Sequence, residues 1–275
     1  MPTVELARTP LVLCADDYAV HAPASAGILA LARQGRLSAT SAMVLSPRWP
    51  QDAPALREHK GRLDVGLHLD FTSPMAVAAG HGRGLAGMML RSALPLTPAL
   101  REWWRQAIEV QCDAFEAHWG SAPDHVDGHQ HVQQFAGLRD LLLEVLGRRY
   151  PARLPWLRVS KVAQAGLKAR IISLWGAQAW QRQLTTQGWR GVAPLRGVYA
   201  FAGGAAVYAR LMQGWLAQAR VDGGLIMCHP AQGTDPTDPI TMARQWEYDY
   251  LASEAFAHDL TEAGVCLAPG RALHS

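Results

Sequence analysis

Short apolar runs alternate with amphipathic stretches along the chain, and this alternation restricts the folds open to it. The runs "LVLCA" (11–15), "SATSAMVL" (38–45), "LDVGLHLDF" (63–71), "WLRVS" (156–160), "GVYAF" (197–201), "GGLIMCHP" (223–230) and "VCLAP" (265–269) read as buried strands. "DHVDGHQH" (124–131) reads as the end of another. Between them, 23–35, 49–61, 98–120, 135–150, 205–220 and 241–264 carry helical patterning, and 162–191 looks helical as well. Strands that alternate with helices predict a parallel sheet wrapped by helices. Seven or eight such units predict a closed or nearly closed barrel, with a doubly wound open sheet as the runner-up. No linker or internal repeat interrupts the pattern, so residues 1–275 are expected to form a single domain. The stretch from Thr72 to Thr97 is rich in Gly, Ala, Met and Pro and has no clear period. A loop of that length in a compact domain predicts a lid or binding loop.

Composition narrows the partners. The net charge is only +3 and no long basic run occurs, so nucleic acid is not an expected partner. The four cysteines, Cys14, Cys112, Cys228 and Cys266, are widely separated and form no CxxC pair. That argues against a disulfide framework and for a reducing compartment. No signal-like start and no run of apolar residues long enough for a membrane span is visible. The expected location is cytoplasmic.

Polar residues collect at the ends of the expected strands. Asp16 and Asp17 follow the first, His68 and Asp70 end the third, Asp127, His129 and His131 end the fourth, and His229 ends a late one. In α/β barrels these strand ends converge on one mouth. Alternation along a strand would aim Asp127, His129 and His131 inward together. Asp17, His68 and His129 form a mixed N/O set of three, the usual complement of a catalytic zinc site with one position open. Imidazole with carboxylate also accepts Mn and other divalent ions. Asp16, beside the metal ligand, is a candidate base, and His229 a candidate proton donor to a leaving group. His125 is expected to shape the loop, and His21 to be solvated. Of the two tryptophans in "REWWRQ", one is expected in the core.

The motifs "LVLCADDYAV", "LSATSAMV", "DVGLHLDF", "HVDGHQHVQQF" and "IMCHPA" resemble, in order and over most of the chain, those of the YdjC/ChbG-like carbohydrate deacetylases. One branch of that family is associated with hopanoid biosynthesis. The resemblance implies a distorted TIM-like (β/α) barrel and the removal of an N-acetyl group from a sugar, with release of acetate. It implies one divalent metal ion, Zn or Mg before Mn or Co, on Asp17, His68 and His129. It implies Asp16 as base and His229 as general acid, with His131, Asp70 and Tyr18 meeting the substrate. The family's aromatic–glycine pair after the two aspartates is Tyr18-Ala19 here, and the glycine after the "CHP" proline is Ala231. An N-acetylated sugar is the expected partner, and a homodimer is compatible with the abundant tryptophan. The competing readings are an amidohydrolase or phosphoesterase on a similar barrel, and a sugar-binding protein without turnover.

Overall fold

The computed structural model describes residues 8–162 and 176–273. The strands are β1 (Thr9–Tyr18), β2 (Ala39–Ala42), β3 (Asp64–Leu69), β4 (His125–Gly128), β5 (Trp156–Arg158), β6 (Gly191–Val192), β7 (Leu195–Arg196), β8 (Leu225–Cys228) and β9 (Val265–Leu267). Eight of them lie in the order β6-β5-β4-β3-β2-β1-β8-β7, and β9 pairs with β1. Every strand pair in this sheet is parallel. The chain just beyond β5 reaches β7 through a bridge from Val162 to Leu195, so the sheet nearly closes into a barrel surrounded by helices.

Strand burial follows from this closure. β2, β3, β4, β5 and β8 are buried at every position, as expected of parallel strands covered on both faces, so the polar residues they carry, such as Asp64, His68, Asp127 and Arg158, are buried with them. The helices lay apolar stripes on the outside of the barrel. Along Pro98–Trp119 these are Trp104, Ala107, Ile108, Cys112, Phe115 and Trp119. Trp104 is the core tryptophan of its pair, whereas Trp103 is half-buried and donates its indole N–H to Gly80. Among the described residues no helix is long and apolar enough to cross a membrane.

The sequence reading and the structure differ at four places, and a fifth is described only in part. The stretch 72–97 carries two short helices, Pro74–Ala78 and Gly84–Ser92, the first capped by the Ser73 hydroxyl. The run at 197–201 is not a strand, because β7 ends at Arg196. The long helix expected at 241–264 breaks at Ser253, which is extended and caps Glu254–Glu262. Of the helical stretch expected at 162–191, the structure describes Gln178–Thr186, and residues 163–175 lie outside the described residues. β4 ends at Gly128, beyond which Gln130 and His131 are left-handed, so the strand alternation expected through His131 stops.

Candidate active site

All the polar strand ends face one mouth, and the local backbone decides which side chains enter it. In β1 the pairing with β2 shifts register between Ala15 and Tyr18, and Asp17 sits at φ 65°. This irregularity lets Asp16 and Asp17 both serve the barrel interior instead of pointing to opposite faces. Asp17 Oδ1 lies 3.4 Å from His68 Nε2 and 3.3 Å from His129 Nδ1. Asp17 Oδ2 accepts from Arg244 Nη2 at 2.7 Å. Oδ1 itself is buried and has no hydrogen-bond partner. A buried carboxylate oxygen without a donor is costly, and one aimed at two imidazole nitrogens fits a cation between them.

The rings are oriented from behind. His68 Nδ1 bonds Asp127 Oδ1 at 2.7 Å, which directs Nε2 toward the pocket. A carboxylate behind a ligating imidazole is the usual device for setting its tautomer. Asp127 Oδ2 also accepts from Ser41 Oγ at 2.6 Å and pairs with Arg158 Nη2 at 2.5 Å. Burial opposes charge on His68, but Asp127, Asp16 and Asp17 outweigh it and hold the ring's pKa up to about 9. The carboxylates thus recruit positive charge to this spot. Burial also works against the Asp17 carboxylate, yet Arg244 and the two imidazoles bring its pKa well below the usual range.

Three sets of side chains could hold a metal ion among the described residues: Asp17–His68–His129, Asp16–His68–Asp127 and Cys14–His125–Asp127. The first fits best. In the other two, Asp16 and Asp127 already serve Arg158, and burial pushes the Cys14 thiol well up, so it stays protonated. The His129 side chain is 25% exposed, so the first set also opens outward.

Asp16 lies beside this set. Arg158 grips both of its oxygens at 2.6 Å, and the guanidinium is fully buried. His229 Nε2 is 3.9 Å from Asp16 Oδ2. Burial lowers the His229 imidazole to about 4, so the ring is neutral. Its backbone N–H donates to Glu247 Oε2 at 2.5 Å. His131 is buried, with Nδ1 3.0 Å from Ser160 Oγ, and burial together with the Arg158 charge lowers its ring to about 3.

The structure therefore brings Asp16, Asp17, His68, His129 and His229 together, with His131 nearby. It does not offer Tyr18 or Asp70 to a substrate. Tyr18 is fully buried, its hydroxyl donates to the Asp52 carbonyl at 2.8 Å, and its ring packs edge-on against Trp49. The register shift before it turns it outward, to the helices. Asp70 is buried and accepts from the backbone N–H groups of Thr72 and Ser73 and from the Ser73 hydroxyl, which holds the turn into the following helix. His125 is no loop residue: it opens β4, stacks on Trp156 at 4.2 Å and bonds Ser41. His21 is not solvated but caps the helix Ala22–Arg33 and reaches Asp238 at 3.0 Å.

Sequence reasoning assigned no role to Arg158, Arg244, Asp127 or Glu247. The signal for Arg158 was present in "WLRVS", because an arginine inside an apolar strand must be paired when buried. Arg244 and Glu247 carry no local signal, since their partners lie far away in the chain.

The chain matches the YdjC-like protein family over residues 10–262. It is 28% identical over 163 residues to a chitooligosaccharide deacetylase of Enterobacter sp. (strain 638), covering 56% of this chain and 61% of that one. It is 30% identical over 149 residues to a carbohydrate deacetylase of Mus musculus, covering 50% and 47%. These two matches span only about half to three-fifths of the relatives' length. A chitooligosaccharide deacetylase of Citrobacter koseri aligns at 25% identity over 94% of this chain and 96% of its own. A solved structure from Enterococcus faecalis V583, named for cellobiose-phosphate cleavage, shares the fold, with a TM-score of 0.70 at 21% identity over 97% of this chain and 99% of that one.

Proposed function

This chain belongs to the YdjC-like protein family, and from that premise we propose that it is a metal-dependent carbohydrate N-deacetylase. It removes the acetyl group from an amino sugar or its oligosaccharide and releases acetate. The relatives named as deacetylases support the reaction class. The observation that carries the reading is the unpartnered Asp17 Oδ1 facing His68 Nε2 and His129 Nδ1, with Asp16 and His229 alongside.

Asp17, His68 and His129 would hold the ion, Zn or Mg before Mn or Co. When bound, a divalent ion supplies Lewis acidity at the acyl oxygen and makes water a better nucleophile at neutral pH. Asp16 takes the proton of the attacking water, and Arg158 fixes the plane of its carboxylate for that transfer. His229 gives a proton to the departing amine nitrogen. Its ring starts neutral, so it first takes the proton that Asp16 gained from water, across the 3.9 Å between Asp16 Oδ2 and His229 Nε2, and then passes it to the leaving nitrogen. His131 lines the pocket. The segment 72–97, which follows β3 at the mouth, serves as its cover.

The test is acetate release from a panel of N-acetylated sugars, using chelator-stripped protein with Zn, Mg, Mn or Co added back. Metal-dependent release is expected from the wild type. His129→Ala is expected to lose metal and about a thousandfold in rate, the scale of several kcal/mol of charge stabilisation. Full activity in His129→Ala, or no acetate release from any sugar with any of the metals, would refute the reading.

A further inference from the structure

The two adjacent aspartates of the site are each held by a buried arginine, but in different ways. Arg158 bonds both oxygens of Asp16 at 2.6 Å, the two-bond fork that a guanidinium and a carboxylate commonly form. Arg244 bonds Asp17 only at Oδ2, through Nη2 at 2.7 Å, and Oδ1 stays without a donor, facing His68 and His129. At Asp17 the fork is open, and the open oxygen is the one a cation would use.

The rest of the Arg244 guanidinium is engaged elsewhere. Nε donates to Asp238 Oδ2 at 2.5 Å, and Nη1 lies 3.5 Å from the His229 carbonyl oxygen. Asp238 belongs to the loop between β8 and the helix Thr241–Ala252, and it is itself fixed. Its Oδ1 accepts from the Ile240 N–H at 3.1 Å, and its Oδ2 lies 3.0 Å from His21 Nε2. His21 Nδ1 accepts from the Ala24 N–H at 3.1 Å, which leaves the ring proton on Nε2, where it is donated to Asp238. Burial works against the Asp238 carboxylate, yet the His21 hydrogen bond and Arg244 lower its pKa to about 2, so it is ionised.

We infer that Asp238 is a positioning residue for the candidate metal site: by engaging Arg244 Nε and offsetting that arginine's charge, it keeps the guanidinium on Asp17 Oδ2 and leaves Oδ1 to a divalent ion. The inference rests on the metal-dependent reading above. Arg244 orients Asp17, but a buried cation opposes a second cation close by, and the low dielectric of the interior strengthens that opposition. An ionised Asp238 on the same guanidinium relieves it. Without Asp238, Arg244 Nε is left unsatisfied in a buried place, which is costly. A second bond to Asp17, through Oδ1, would satisfy the guanidinium at the expense of the ion.

The experiment is Zn affinity by chelator competition for the full chain and its Asp238→Ala, Asp238→Asn, Arg244→Gln and Asp238→Ala/Arg244→Gln variants, with thermal unfolding of the metal-free proteins and acetate release in parallel. Asp238→Ala is expected to weaken Zn binding roughly tenfold, the scale of other residues that support a metal ligand from behind. Asp238→Asn keeps the shape, loses the charge and weakens binding in the same direction, so it carries the test if alanine disturbs the loop. In the Arg244→Gln background the alanine replacement is expected to change Zn affinity no further, because Asp238 acts through that guanidinium. A lower unfolding temperature with wild-type Zn affinity in both Asp238 variants would reduce Asp238 to a structural role and overturn the inference. Losses at Asp238 and Arg244 that simply add would overturn it as well. A wild type that binds Zn more tightly than the Asp238 variants, but releases no acetate from any N-acetylated sugar with any metal, would overturn the deacetylase reading and leave the positioning role standing. A wild type that binds no divalent metal would overturn both.

Discussion

The barrel buries carboxylates at both ends, and they are treated differently. At the start of β3, Asp64 is fully buried, and both of its oxygens are engaged. Oδ2 accepts from Trp156 Nε1 at 2.9 Å and from the Arg271 backbone at 3.3 Å, and Oδ1 pairs with the Arg271 guanidinium. At the C-terminal ends of the strands, Asp16, Asp17 and Asp127 are also buried, and these three carboxylates share the two guanidiniums of Arg158 and Arg244. One oxygen, Asp17 Oδ1, is left over. A satisfied buried pair holds elements together, whereas an unsatisfied one marks a place where the fold carries a cost for function. The difference also agrees with the division of labour in such barrels, where the end carrying the strand C-termini does the chemistry and the other end provides stability.

Mutations can break or sharpen this contrast. The largest effect is expected from Asp16→Asn, which keeps the shape and one of the two Arg158 hydrogen bonds but removes the base. Turnover should fall by about 10²–10⁴-fold while metal content by elemental analysis stays at the wild-type level. Loss of metal would make Asp16 a ligand. Next is Asp127→Asn, which weakens the support behind His68. Metal affinity in a chelator competition should drop roughly 10–100-fold, as for other partners of ligating histidines. An unchanged affinity would mean that Asp127 serves Arg158 alone. The smallest effect on activity is expected at the opposite end. Asp64→Ala leaves the Trp156 and Arg271 donors unpaired, at about 1–3 kcal/mol of stability in denaturant unfolding. Its kcat and metal affinity should match the wild type. A catalytic defect without loss of stability would erase the distinction between the two ends.

Much of this arrangement was legible because barrels place chemistry at strand ends. Asp16, Asp17, His68, His129 and His229 each follow an apolar run, and the structure brings all five together. The failures have a common origin in local backbone geometry. Tyr18 was read as facing a substrate, but the register shift in β1 sends it to the helices. His131 was read as a continuation of β4, but the left-handed residues after Gly128 end the strand. Asp70 and His21 have the residue types of ligands, but Asp70 holds the turn before Pro74–Ala78 and His21 caps Ala22–Arg33. A polar side chain near a strand end can bond the adjacent turn as readily as a ligand, and residue type does not separate the two.

The sequence by itself determined the order of strands and helices, the barrel class and the identity of the ligand candidates, since these depend on periodicity and on residues close in the chain. The tertiary structure decided which carboxylate oxygen stays unpartnered. Arg158 comes from β5 to hold Asp16 and Asp127, and Arg244 comes from the helix Thr241–Ala252 to hold Asp17. The Arg244–Asp17 contact spans 227 positions and the Arg158–Asp16 contact 142, and only closure of the sheet brings such distant charges into the same low-dielectric space.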